Sequence, residues 1–70
     1  LFMTGILIQC DDRPDIVFDN GMLYGGLHCG ECFDVYFNRW ISVRLEYLDN
    51  WVIIYRGKSY PICYGTLVRI

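Results

Sequence analysis

GECFDVYFNRWISVRLEYLDNWVIIY, running from Gly30 to Tyr55, is the stretch on which the fold turns. Phe33, Val35 and Phe37 alternate with Asp34, Tyr36 and Asn38, the period-2 signature of a half-buried strand. Ile41, Val43, Leu45 and Tyr47 then alternate with Ser42, Arg44 and Glu46, and Asp49-Asn50 marks a turn into Trp51–Tyr55. The spacing predicts a three-stranded antiparallel meander over residues 31–56. A loop of Asn38-Arg39-Trp40 pairs Phe37 with Ile41, Val35 with Val43 and Phe33 with Leu45, which keeps one face apolar. A two-residue loop at Asp49-Asn50 sets Tyr47 against Val52 and Leu45 against Ile54. Val52 and Ile54 then continue the core, while Leu48, Trp51, Ile53 and Tyr55 make the opposite face apolar too. A strand apolar on both sides has to be covered twice, by the N-terminal hairpin or by another protein.

Outward from this meander, Thr4 to Gln9 and Ile16 to Phe18 read as an N-terminal hairpin over residues 4–19. Cys10 to Pro14 is its polar turn, with Pro14 expected to break the strand, and Asp19-Asn20-Gly21 is a further turn signal. Tyr24-Gly25-Gly26-Leu27 supplies bendable backbone that also permits close packing. Arg56 to Ser59 reads as a polar turn, Tyr60 to Cys63 as a constrained connector, and 66–70 as a closing strand. No helical periodicity, repeat or linker interrupts this pattern. The expectation is one all-β domain over 1–70: a small SH3-like or Tudor-like barrel of five to six short antiparallel strands.

The composition fits a folded module with apolar surface to spare. Of the 70 residues, 54% are hydrophobic and 17% aromatic, more than so small a core can hide, which suggests a protein partner or a homodimer alongside a monomer. Net charge is −2 but divided along the chain: six acids and one base through Asn38, five bases and two acids from Arg39 onward. The acidic total argues mildly against nucleic acid. No apolar run is long enough to span a bilayer, and Leu1–Gln9 carries neither a basic flank nor a small-residue cleavage site, so a cytoplasmic location is expected. Met3-Thr4 reads as a natural start, with Leu1 and Phe2 upstream of it.

The cysteines are the chemistry-bearing residues. Cys29-x-x-Cys32 lets two thiolates chelate one zinc ion from a tight turn that Gly30 permits. Cys10 ends the first strand and Cys63 precedes the last, so a structural four-thiolate site of Cys10, Cys29, Cys32 and Cys63 closes if those elements meet. A domain this small benefits from such a staple. The plainer alternative is free thiols. Thioredoxin-type redox chemistry is disfavoured because no helix follows the motif, and disulfides are disfavoured by compartment. His28 stands alone without a nucleophile, second base and orienting group, so no enzyme is expected. Asp11, Asp12 and Asp15 read as a solvated acidic tip. Trp40, Trp51 and Tyr55, with Tyr60 and Tyr64, are the binding candidates, either as part of an aromatic cage or, for the tryptophans, packed under the N-terminal hairpin. Arg39, Arg44, Arg56, Lys58 and Arg69 could mark a nucleic-acid face with these aromatics, or simply be solvated surface.

Met3-Thr4-Gly5-x-Leu7-Ile8, Tyr24 to Val35 with its Leu27-His28-Cys29-Gly30 core, Trp40 to Glu46, Trp51, and Leu67 to Ile70 together resemble a family of small bacterial proteins. That family is classed only as a domain of unknown function, met largely in Gram-positive genomes and often on phages and conjugative elements. Cys10 and Cys63 lie outside its pattern, and Asn38-Arg39 stands where it usually has a glycine before Trp40. The resemblance covers nearly the whole chain and brings no catalytic residues. It implies a non-catalytic protein-interaction module of a phage or mobile element. An inhibitor of a host defence nuclease, of anti-CRISPR type, is the alternative, with acidic loops imitating phosphates; a weak nucleic-acid-binding SH3-like domain is the other.

Overall fold

In the computed structural model, which describes residues 1–70, the chain forms seven strands and no helix. They are β1 (Thr4–Cys10), β2 (Arg13–Phe18), β3 (Cys32–Tyr36), β4 (Trp40–Tyr47), β5 (Trp51–Tyr55), β6 (Lys58–Pro61) and β7 (Leu67–Arg69). All pair antiparallel in one sheet of order β2-β1-β7-β3-β4-β5-β6. The all-β antiparallel class is as expected. The strand count exceeds five to six because Lys58–Pro61, read from sequence as turn and connector, pairs with β5.

The sheet is open. No ladder joins β2 to β6, so the barrel expected from sequence is closed only by side chains. Trp51 at the start of β5 donates its indole N–H to the carbonyl of Asp12, in the β1–β2 turn, at 2.9 Å. The Arg13 guanidinium lies over the same ring, 5.5 Å from its centroid. These contacts curl one half of the sheet onto the other. Between the halves sit Leu7, Ile16, Leu27, Phe33, Val35, Val43, Leu45 and Val68, all buried. Each such side chain contributes about 1.5–3 kcal/mol of transfer free energy.

The meander exists with altered registers. Phe33 pairs with Val43 and Val35 with Ile41, so the three-residue loop is Phe37-Asn38-Arg39, one residue earlier than expected. Partners move by two positions, parity survives, and the apolar face is unchanged. Asn38 takes the left-handed conformation the loop requires (φ 62°). The next hairpin departs further. Tyr47 pairs with Trp51 and Leu45 with Ile53, which makes Leu48 a loop residue beside Asp49 and Asn50. That one-residue slip inverts β5: Trp51, Ile53 and Tyr55 pack on the core, and Val52 and Ile54 take the outer face. All five residues are half-buried, so the double-sided apolar strand is present with its faces exchanged.

The N-terminal hairpin turns at Asp11-Asp12, with Cys10 opposite Arg13. Pro14 does not break the strand; it pairs with Gln9. Proline is accepted there because β2 is a sheet edge and gives up only one donor. That edge is covered by residues 22–27: Phe18 N–H bonds Met22 O, Tyr24 N–H bonds Ile16 O and Leu27 N–H bonds Pro14 O. The segment is pinned by Asp15, almost wholly buried, whose Oδ1 accepts the Gly25 N–H at 3.0 Å and the Ile16 N–H at 2.8 Å. Gly5 sits where β1 meets β2 so closely that a Cβ would fall 2.5 Å from Val17 O.

A half-covered apolar groove as the candidate functional site

The inner face of the sheet is only partly filled. Around Leu7 and Leu27 it is covered, but toward β5 and β6 it opens into a groove of about 420 Å³. Val35, Ile41, Val43 and Ile53 form its floor, with Tyr55 and Tyr60 on one side and Phe37 on the other. The alternation of β3, β4 and β5 delivers these residues to one face, and the Phe37-Asn38-Arg39 loop carries Phe37 to the rim, where 73% of it is exposed. A smaller depression continues past Phe37 and Ile53 to Leu7, Cys63 and Thr66. Apart from the backbone, the main groove offers polar atoms only from the phenols of Tyr55 and Tyr60. It suits apolar side chains.

One end of the groove is basic. The β5–β6 turn is Arg56-Gly57, both with positive φ (51° and 75°), as a two-residue type I′ hairpin requires. Arg56 folds back so that its guanidinium lies 5.4 Å from the Tyr55 ring centroid. Lys58 pairs with Tyr55 and so stands on the same side of the strand. Arg39 lies in the loop that carries Phe37. At the other extreme, the Trp51–Asp12 contact brings the acidic β1–β2 turn, with Asp11 and Asp12, beside the loop containing Asp49.

Of the five aromatic candidates, Tyr55 and Tyr60 line the groove, and Tyr64 is exposed away from it. Trp40 faces outward, edge-on to Tyr36 with centroids 5.2 Å apart. The Arg69 guanidinium lies 4.4 Å from the Trp40 ring and 3.9 Å from that of Phe2, and its Nε bonds Asp34 Oδ2 at 2.9 Å. Trp51 is engaged by Arg13, by Asp12 and by Tyr47, whose ring meets it edge-on at 4.9 Å. Two of the candidates are therefore structural joints, and no cage forms around them. Phe37 is the groove residue that the sequence pattern does not single out, because the alternation places it in a strand interior.

The four cysteines are free thiols and do not converge. Cys10 ends β1, Cys63 borders the smaller apolar depression, and Cys29 and Cys32 flank the turn before β3. No three His, Cys, Asp or Glu side chains are grouped to hold a metal ion, so the four-thiolate arrangement expected from spacing is not assembled by this topology. The Cys29 turn is organised otherwise. Gly30 takes φ 88° and Glu31 N–H bonds His28 O at 3.0 Å. Glu31 accepts bonds from the His28 N–H, at 2.9 Å, and from the Tyr24 hydroxyl. The Glu31 carboxylate, through that bond, holds the Tyr24 phenol above its ordinary pKa. Cys29 donates its S–H to Glu46 Oε1 at 3.0 Å, and Arg44 Nε reaches Glu46 Oε2 at 2.6 Å. The Cys29 bond first, and Arg44 second, lower the Glu46 pKa.

Comparison with known proteins agrees with this architecture. No curated protein matches the chain. A crystal structure of a protein from Ruminococcus gnavus, determined by a structural genomics consortium, is similar at 41% identity with a TM-score of 0.82, over 96% of this chain and 99% of that one. The family model for a domain of unknown function, DUF5348, matches residues 5–70. The chain belongs to the DUF5348 family.

Proposed function

We propose that this domain is a non-catalytic protein-interaction module of a phage or mobile element, working in a bacterial cytoplasm through its half-covered groove. One observation carries the reading: an apolar concavity of about 420 Å³ lies open on the inner face, its floor half-filled by the domain's own core residues. Soluble domains seldom leave a contiguous apolar concavity uncovered unless something docks there. The resemblance noted in the sequence supports the mobile-element setting, and the four unpaired thiols suit a reducing compartment. A photo-crosslinking residue at position 37 should yield a discrete polypeptide adduct in the native host, whereas the same residue at exposed Ser42 on the outer face should not. Equal labelling from both positions, or adducts to nucleic acid alone, would count against the proposal.

A second reading has its own support. The Trp51–Asp12 joint gathers Asp11, Asp12 and Asp49 at one end of the molecule, where carboxylates could face the basic groove of a host defence nuclease. Replacing those three residues with asparagine would abolish inhibition of such a nuclease if this reading holds.

A further inference from the structure

The edge beside the groove narrows the kind of partner it takes. Tyr55 and Lys58 close the type I′ hairpin, so their backbone groups bond each other across β5 and β6. The backbone groups of Ser59 and Pro61 therefore point away from β5, and no strand lies beyond β6. The free edge presents one N–H, that of Ser59, and two carbonyls, those of Ser59 and Pro61; Pro61 has no N–H to give. Whereas residues 22–27 cover the β2 edge, nothing in the chain covers this one. Tyr60, next to that edge, forms one wall of the groove. Arg56 and Lys58 stand at its end, with Arg39 in the facing loop, and no acidic residue lines the groove.

Resting on the interaction-module reading above, we infer that the partner is a short extended segment of another protein, with apolar residues flanked by acidic ones, which adds as an eighth strand to β6. Its backbone pairs with Ser59 and with the Pro61 carbonyl, alternate apolar side chains turn into the groove, and its carboxylates meet Arg39, Arg56 and Lys58. Backbone pairing supplies affinity and the groove and cations supply specificity. Because the edge has a single donor, the register is fixed on Ser59 and the added strand is short. The floor of the groove is largely aliphatic, which suits side chains better than stacked bases.

The test is selection from a phage-displayed library of random dodecapeptides, followed by affinity measurement with a selected peptide at two salt concentrations. Alternating apolar positions flanked by Asp or Glu should be enriched. Ser59→Pro removes the outward N–H without touching the β5 ladder, and should weaken binding roughly tenfold, the equivalent of one main-chain hydrogen bond. N-methylation of the peptide at alternate residues should do the same and leaves the domain itself unaltered. Arg39→Glu combined with Arg56→Glu and Lys58→Glu should weaken binding by at least about tenfold and flatten its salt dependence. Peptides that need Phe37 and Tyr60 but ignore Ser59→Pro, N-methylation and charge reversal would overturn strand addition while leaving the groove as an interaction site. Failure to select any groove-dependent peptide would overturn both. Groove-dependent binding of oligo-dT in place of peptides, or self-association abolished by Phe37→Ser, would replace the inferred partner with nucleic acid or a second copy and refute it.

Discussion

Replacing Trp51 with phenylalanine tests whether side chains close what the backbone leaves open. The substitution keeps an aromatic ring against Tyr47 and the core but deletes the indole N–H that reaches Asp12 O at 2.9 Å. A hydrogen bond of this kind contributes about 0.5–1.5 kcal/mol, and its partial exposure favours the lower half of that range. Phenylalanine also holds the Arg13 guanidinium less well, with up to about 0.5–1 kcal/mol at stake in an exposed cation–π pair. Together these give a loss of about 1–2 kcal/mol, which for a domain of this size lowers Tm by roughly 5–15 °C. The assay is urea unfolding followed by circular dichroism, since removing one of the two tryptophans alters the fluorescence baseline. The midpoint should fall with the slope unchanged. In a double-mutant cycle, Arg13→Ala should cost less in Trp51→Phe than in the parent. A midpoint within error of the parent would show that core packing and the β7 ladders hold the two sheet halves together without these contacts.

Further outcomes follow from single contacts. Gly5→Ala puts a Cβ 2.5 Å from Val17 O and 2.6 Å from the Ile16 side chain, so β1 and β2 must separate; thermal melts should show a cost near the top of the roughly 1–3 kcal/mol typical of overpacking, and an unchanged Tm would contradict the close approach. Glu46 has a folded-state pKa below its ordinary value of 4.5; its contribution to stability is complete above the unfolded pKa and is lost as pH falls through the folded one. Cys29→Ala should raise the Glu46 midpoint toward 4.5 in a carboxyl NMR titration, and an unmoved midpoint would mean that the thiol bond is not formed in solution. Because Cys63 lies beside the apolar depression while Cys29 and Cys32 flank the turn before β3, Cys63→Ser should leave the metal content of purified protein unchanged; a drop on metal analysis would place Cys63 in a metal site.

Much of the fold is legible in the alternation of residues 33–55, because a strand half-exposed to water must place its apolar residues two apart. The register is less legible, for a definite reason. Leu48 is apolar and extends the β4 pattern, yet it belongs to a three-residue loop, and hydrophobicity cannot distinguish a strand end from the first residue of a turn. With β5 apolar on both faces, neither register is penalised by burial, and the sequence pattern does not separate them. Pro14 misled in the opposite direction, since its cost depends on whether the strand is an edge, which is a property of the whole sheet. Non-local partnerships left no trace in local pattern: Arg13 with Trp51, and Arg69 with Phe2, Trp40 and Asp34. The groove was foreshadowed by the double-sided strand, but its location required the true faces of β5.

The position of β7 has a consequence for the order of events during synthesis. This three-residue strand, made last of the seven, lies between β1 and β3 and is the only ladder linking the β2-β1 hairpin to the meander. Before β7 is made, both halves can form but no ladder can join them, and two inner strand edges stay bare. Such edges recruit other chains, and pairing so distant in sequence is slow. The nascent domain is therefore most exposed to misassembly until Leu67–Arg69 emerge, and deleting those three residues would leave the β2-β1 hairpin and the β3–β6 meander without a shared ladder.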